Sequence, residues 1–490
     1  MDRERTCGAV VIGGGIGGLC CAIDLLSHGV STCVVEQGAR VGGAFTSFRR
    51  GNTLFDTGFH WVGGAGPGEM MYPLLCRYGL DNLPWKRLDD EGFNEIHTEE
   101  GVFAIPAGTA HFQQRLSDAF PDERKAIGDL VATLDHIGSH LYDSLDPAWS
   151  IMDNPLFYTS AYEYLEREFR SPQLRRLICG CAANTELTPR LPLYSLQQTM
   201  ASFLQGAYRL QGGGQLIADT LARRILQLGG EIKTGTRVRG IAVEGDSVSG
   251  VDIDDGSLPA GLVISTIHPS LTVGLLPESK FVRGIYRRRM THLANSRGCF
   301  TVQLQLKPHT IPYSDRSISI IGSDPFGGGF GAVSPKDQLF VNYAYPEDGG
   351  LYAKNIDLLV PMEWSAVSQW SESRHGHRPD DYYNFKQRHA EECISLAGRH
   401  VDGLADAVEK VYTSTPLTWR DYTGTIEGSA FGVQKHNDNL AGSILSSATP
   451  VRGLYLAGQS VMLHGMLGTM MSSARLFSTL NTSFLSSSLQ

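Results

Sequence analysis

Three separated stretches of the chain carry alternating strand-like and helix-like runs of apolar residues. In the first, Ala9–Ile12 is a continuous apolar run, as in a strand buried on both faces. A glycine cluster follows, then an apolar helix over 16–28 that Gly29 stops, then a short strand over 31–36 that ends in an acid. Strand, helix and strand in that order predict a parallel pair with a right-handed crossover. The second stretch opens at Gly212 with "GGGQLIADTLARRILQLGG". It reads as a glycine turn and an amphipathic helix, with Leu216, Ile217, Leu221, Ile225 and Leu228 on its apolar face. The segment "EIKTGTRVRGIAVEGDSVSGVDIDDGSLPAGLVIST" follows, with short alternating runs broken by Gly-Asp and Asp-Gly. That pattern predicts a meander, and "LVIST" a buried strand after it. The third stretch, "RGLYLAGQSVMLHGMLGTMMSSARLFSTL", predicts an apolar strand, a Gly-Gln turn and a helix from about Gly465.

Two long segments, 85–205 and 276–410, separate these stretches. They are rich in aromatics, in "NPLFYTSAYEYLEREF", "PFGGGFGAV", "FVNYAYP" and "VPMEWSAVSQW". The first reads as mostly helical and the second as mixed. A chain of 490 residues exceeds one ordinary core. The expected layout is an α/β domain built from 1–84, 206–275 and 411–490, with a mixed α+β domain inserted as 85–205 and 276–410.

Composition narrows the function classes. Asp plus Glu is 51 against 42 Lys plus Arg, a net charge of −9 with no long basic run, so no nucleic-acid partner is expected. The nine cysteines are scattered. Cys20 and Cys21 are adjacent, and Cys179-Gly-Cys181 lacks zinc spacing, so they read as small buried residues in a reducing compartment. No run of about 20 apolar residues and no signal-peptide core is found, so a cytoplasmic protein is expected. Peripheral contact with a membrane surface is compatible with that.

Gly13-x-Gly15-x-x-Gly18 sits between the first strand and helix. Gly13 serves the tight turn, Gly15 the approach of a pyrophosphate, and Gly18 the close packing of helix on strand. Ile16 follows at the helix N-terminus, where unpaired N–H groups favour an anion. Glu36, next to Gln37, closes the second strand and can accept hydrogen bonds from ribose hydroxyls, while repelling a 2′-phosphate. The motif predicts a bound dinucleotide without separating NAD from FAD.

Further residues bear on that choice. In "EQGARVGGAFTSF", Gly42-Gly43 lies just beyond the acid, and this segment resembles one in the flavin amine oxidase and phytoene desaturase superfamily. "GTRVRGI" resembles the superfamily strand whose backbone, here at Val238, holds adenine. "GLYLAGQSVMLHGMLG" resembles its C-terminal flavin segment. There Gly458 and Gln459 would meet the pyrophosphate–ribitol region, and the N–H groups at Met466 and Leu467 the flavin pyrimidine. The closer resemblance is to the retinol saturase and carotenoid isomerase branch, through "FDTGFHWVGG" at 55–64, "DYTGTIEGSAFGV" at 421–433 and "LYLAGQ". Gln459 and Ser460 depart from the acids usual there, and Ala44 stands where amine oxidases carry Arg.

The resemblance implies a discontinuous Rossmann-like FAD-binding domain with an inserted substrate domain. No cysteine stands in a covalent-flavin context near the C-terminus, so the FAD is expected to be non-covalent. It further implies an oxidoreductase exchanging hydride between flavin N5 and a double bond of a conjugated polyene or related lipophilic substrate, in saturation, desaturation or isomerisation. The aromatic-rich insertions would line a tunnel for it. His60 and His464 are the acid–base candidates. Asp56 reads as a loop-fixing acceptor, and Tyr422 as a further donor. An amine or amino-acid oxidase is the alternative, and it should show a carboxylate or cage for a cationic substrate. No second GxGxxG unit is present, which argues against direct reduction by NAD(P)H.

Overall fold

The computed structural model describes residues 7–182, 185–322, 325–326 and 334–483. Its parallel sheet is built around β1 (Ala9–Ile12), whose four residues are all buried. With no water to bond them, its backbone groups pair on both sides. Helix α1 (Ile16–Ser27) crosses over to β2 (Thr32–Val35), and β3 (Glu231–Lys233), β4 (Leu262–Ser265) and β5 (Leu454–Leu456) complete the order β3-β2-β1-β4-β5, all parallel. Val10 sits between Cys33 and Val263. Alternation along β1 separates two cores. Ala9 and Val11 join the core of α1 and of the C-terminal helix α2 (Gly465–Ser483). Val10 and Ile12 join Val238, Ile241, Val248 and Val251 of the meander on the other face.

The meander itself is antiparallel, Val238–Glu244, Ser247–Ile253 and Gly256–Pro259. The helix read from Gly212 spans Gln215–Gln227 and buries Ile217, Leu221 and Ile225. Leu228 lies just past its end as the C-cap. At the end of α1, His28 is the C-cap and Gly29 takes a positive φ of 81°.

A seven-stranded sheet joins the two insertions. Its order is Val408–Ser414, Gly298–Leu306, Asn355–Met362, Gln338–Tyr343, Ser317–Ile321, Asn94–Thr98, Gly101–Ile105. All its pairs are antiparallel except Ser317–Ile321 with Asn94–Thr98, where Ser319 faces Ile96. The first insertion is otherwise mainly helical, and its helix Pro172–Cys181 sits so close to this sheet that a Cβ on Gly180 would fall 2.7 Å from Ile96 Cδ1. The expected class, a discontinuous α/β part with a mixed α+β insertion, is the one found. Two expected boundaries shift. Position 411 falls inside the edge strand Val408–Ser414, which belongs to the seven-stranded sheet. Trp85–Arg87, expected to open the insertion, pairs with Ala207–Leu210 instead.

Candidate cofactor and active site

The glycine cluster is built by contact geometry. Gly13 leaves β1 with φ 103°, a conformation other residues rarely hold. A Cβ on Gly18 would lie 2.0 Å from the Gly13 carbonyl oxygen, so only glycine lets α1 sit this close to the strand end. At Gly15 no atom lies within 4 Å of such a Cβ, and the residue borders a cavity of about 310 Å³. The second diglycine runs alongside: the Gly42 N–H donates to the Gly14 carbonyl at 2.8 Å, and Gly42 bridges Gly15 in parallel. Glu36 accepts from the Gly14 N–H at 2.7 Å through Oε2 and from the Gly38 N–H at 2.6 Å through Oε1. Its carboxylate is thus fixed by the backbone, with lone pairs left over for a ligand.

Gly13, Gly15, Ile16, Glu36, Gln37, Gly42, Gly43, Val238, Gly458 and Gln459 line this one cavity, although they come from four separate stretches of chain. Gly18 is a packing residue beneath it. Met466 and Leu467 lie elsewhere, on the wall of a second cavity of about 270 Å³. The two cavities meet at Ala44, Phe45, Gln459 and Thr469, which border both. α2 locks this junction: Ser472 Oγ accepts from the Gly458 N–H at 3.1 Å, and Ser473 Oγ donates to the Gly17 carbonyl at 3.0 Å. The N-terminal turn of α2, with its unpaired N–H groups and partial positive charge, borders the second cavity.

The wall of that second cavity includes Phe45, Phe59, Trp61, Phe203, Phe340, Trp419 and Phe431. Of the aromatic-rich stretches, "FVNYAYP" contributes Phe340 and "VPMEWSAVSQW" only Pro361. Phe157 stacks on Tyr194 at 4.2 Å in the core, and most of "PFGGGFGAV" lies outside the described residues. Both candidate histidines border the cavity. His60 Nε2 has no hydrogen-bond partner, and Nδ1 stands 3.7 Å from Asp357 Oδ2. His464 Nε2 is 2.6 Å from Thr185 Oγ1, and its ring lies 4.6 Å from Phe431. Burial holds both imidazoles down to about 4, aided by the charge of Arg209 at His60 and of Lys435 at His464. Asp56 accepts from Ser47 Oγ at 2.5 Å and from the Gly214 N–H at 2.8 Å, the loop-fixing role expected of it. Tyr422 is 66% exposed and borders the other cavity, away from the histidines.

The sequence reading missed three buried charged groups here. Glu186 borders the apolar cavity; its Oε1 accepts from the Arg297 N–H at 2.8 Å and from Gln434 Nε2 at 2.9 Å, and burial pushes it up to about 7. Arg297 borders the same cavity and binds Glu363 at 2.5 Å. Lys435 donates to the Ser443 and Ser460 carbonyls at 3.0 and 3.1 Å, and burial brings it down to about 7. None sits in a local motif, so only the fold reveals them.

The open space at Gly15, the aligned diglycines and the helix end beside an apolar chamber fit a flavin nucleotide lying across the junction. Comparison with known proteins agrees. The chain is 25% identical to an all-trans-retinol 13,14-reductase of Rattus norvegicus, over 94% of this chain and 83% of that protein. It is 23% identical to a 4,4'-diapophytoene desaturase (4,4'-diapolycopene-forming) of Methylomonas sp, over 86% of this chain and 85% of that protein. The fold matches an oxidoreductase structure from Methanosarcina mazei with a TM-score of 0.63 at 18% identity, covering 96% of this chain and 99% of that one. The family model described as flavin containing amine oxidoreductase matches residues 16–476. With nearly the whole chain matched, the protein belongs to that family and is a flavin oxidoreductase.

Proposed function

We propose that the chain holds FAD non-covalently and acts on carbon–carbon double bonds of a conjugated polyene or related lipophilic substrate. The observation that carries this reading is the apolar, aromatic-walled cavity that opens onto the nucleotide cavity and has His60 and His464 on its wall. Such a wall suits an uncharged hydrocarbon. The names of the rat and Methylomonas relatives, a retinol 13,14-reductase and a diapophytoene desaturase, support it. Glu186 is the feature that favours an amine oxidase instead. Arg297 beside it opposes that, because a protonated amine there would meet a guanidinium.

In this reading the Gly13–Gly18 turn and the start of α1 hold the pyrophosphate, Glu36 a ribose, and the backbone at Val238 the adenine. Gly42-Gly43 lets the chain pass close to the phosphates. Gly458, Gln459 and the amides at Met466 and Leu467 face the flavin end. No cysteine follows Cys393, so the C-terminal flavin segment has no thiol for a covalent link. Bound FAD supplies hydride exchange at N5. The protein excludes water, orients the chain of the substrate and manages the accompanying proton at His60 or His464. The cofactor domain comprises 1–87, 206–275 and the segment after Ser414, with the substrate domain between. No helix among the described residues is long and apolar enough to cross a membrane. Peripheral membrane contact is part of the proposal as the route for a lipophilic substrate.

The test is single-turnover oxidation of the reduced flavin by a polyene acceptor in His60→Gln and His464→Gln, each with full FAD content. One of them should slow by about 10²–10⁴-fold. Rates within about threefold of wild type in both would remove the histidines from proton transfer. A wild-type protein that no polyene reoxidises would overturn the substrate class.

A further inference from the structure

A third, polar cavity of about 30 Å³ lies behind His60. His60 and Phe59 border both it and the apolar cavity. Its other lining includes Asp56, Arg209, Asn342, Asn355 and Asp357. Glu347 and Lys354, which also border it, are partly exposed, at 33% and 46% of their side chains. The cavity therefore connects a buried imidazole to residues in contact with solvent. At roughly 10–15 Å³ per water, it has room for about two water molecules.

The polar atoms around it call for such water. Arg209 Nε, Asn355 Nδ2 and Asp357 Oδ1 are buried without a hydrogen-bond partner. Two are donors and one is a carboxyl oxygen, a set that water can satisfy together. The remaining Arg209 N–H groups donate to neutral oxygens, those of Tyr313, Ser314, Arg316 and Ser317. The distance of 3.7 Å between His60 Nδ1 and Asp357 Oδ2 is too long for a direct hydrogen bond, and Asn342 Nδ2 is at the limit, 3.5 Å from the same nitrogen.

We propose that this cavity holds a short chain of ordered water that carries protons between solvent and His60. The role rests on the function proposed above. Saturating a double bond takes a hydride on one carbon, which a bound reduced flavin would supply, and a proton on the neighbouring carbon. His60 gives that proton from Nε2: the N–H bond breaks as the C–H bond forms, and its electron pair stays on nitrogen. In the same step Nδ1 takes a proton through water from the Asp357 carboxyl, which solvent then refills. The imidazole changes tautomer without holding a charge, the balance is one hydride and one proton per double bond, and reorientation of the ring with proton exchange through the water restores Nε2–H before the next turnover. Desaturation runs the relay backwards.

The electrostatics place the resting proton where the relay needs it. Burial, with the charge of Asp56 nearby, raises the Asp357 carboxyl well above the usual range. Burial and Arg209 hold His60 down to about 4, so the ring is neutral. Asp56, raised to about 6 by burial, also borders the cavity, as do Arg209, Tyr345, Glu347 and Lys354.

Two measurements need no substrate. A crystal structure of the flavin-loaded protein should show ordered water between Asp357 and His60; a dry cavity overturns the proposal. Infrared difference spectra of wild type against Asp357→Asn should show the carbonyl stretch of a protonated carboxyl near neutral pH; its absence also overturns the proposal. The kinetic measurement uses Asp357→Asn and the cavity-filling Asn355→Leu. Flavin reoxidation by a polyene should slow at least tenfold in each folded variant, while reduction of the flavin by dithionite stays unchanged. Unchanged reoxidation in either folded variant removes the relay. If wild type reoxidises with no polyene, the substrate reading fails, and the water and infrared results still decide whether the cavity holds the proton.

Discussion

Glu36 shows how a residue legible in sequence can have a second task visible only in the structure. Its position after the second strand marks a ribose acceptor, yet both carboxylate oxygens also accept backbone N–H groups of the two flanking loops. Glu36→Ala should therefore weaken FAD binding by about ten- to hundred-fold, from the loss of a charge-assisted bond of about 1.5–3 kcal/mol. Glu36→Gln, which keeps one acceptor, should lose less. Titration of apoprotein with FAD checks both, and unchanged affinity in a folded Ala variant would exclude the ribose contact. His464 makes a prediction about acid stability. Its folded value of about 4 lies below the ordinary 6.5, so between those limits the unfolded chain binds a proton that the folded one does not. Stability from this group is complete above about pH 6.5 and falls as pH drops towards 4, by up to about 1.4 kcal/mol per pH unit. Thermal unfolding of His464→Gln should thus lose less stability over that window than wild type; parallel profiles would contradict the buried, neutral imidazole. The histidines and Glu36 were legible because they sit in local motifs. Glu186, Asp357 and Lys435 were not, since a buried charge among mixed neighbours looks like any polar position until the chain is folded around it.

At the level of elements, the glycines of one motif separate into two physical kinds. Gly15 lies in extended backbone, φ −71° and ψ 173°, with empty space beside it, so Gly15→Ala should leave the thermal unfolding temperature close to wild type and sharply reduce bound FAD. Gly18→Ala forces a Cβ against a backbone carbonyl and should cost about 1–3 kcal/mol of stability as well as cofactor. Paired unfolding and flavin-content measurements separate the two; equal stability losses would undo the distinction. The βαβ unit was readable from sequence because its signals are local: an apolar run, a glycine turn, a helix of fixed length. The seven-stranded sheet was not, because the pairing of Asn94–Thr98 with Ser317–Ile321 joins segments with no sequence feature in common. For the same reason the 411 boundary, drawn from pattern alone, cut through a strand.

Across the whole molecule, the parallel sheet takes its five strands from both ends of the chain and its middle. That order sets a timetable for synthesis. When β1 and β2 leave the ribosome, β4 is still to be translated, and at about 5–20 residues per second it follows roughly 11–46 s later. β5 comes last of all. Until then the β4-facing edge of β1 and the apolar face of α1 lack native partners, so the nascent chain should engage holdase chaperones and stay open to protease. Chains arrested before β4 should be digested throughout their N-terminal segment, whereas released full-length chains should resist. A resistant N-terminal fragment in the arrested chains would show that the opening unit stands alone. Otherwise the nucleotide cradle, whose glycine turns and acid precede residue 47 but whose remaining wall spans 236–275 and 422–469, comes into existence only when α2 is delivered.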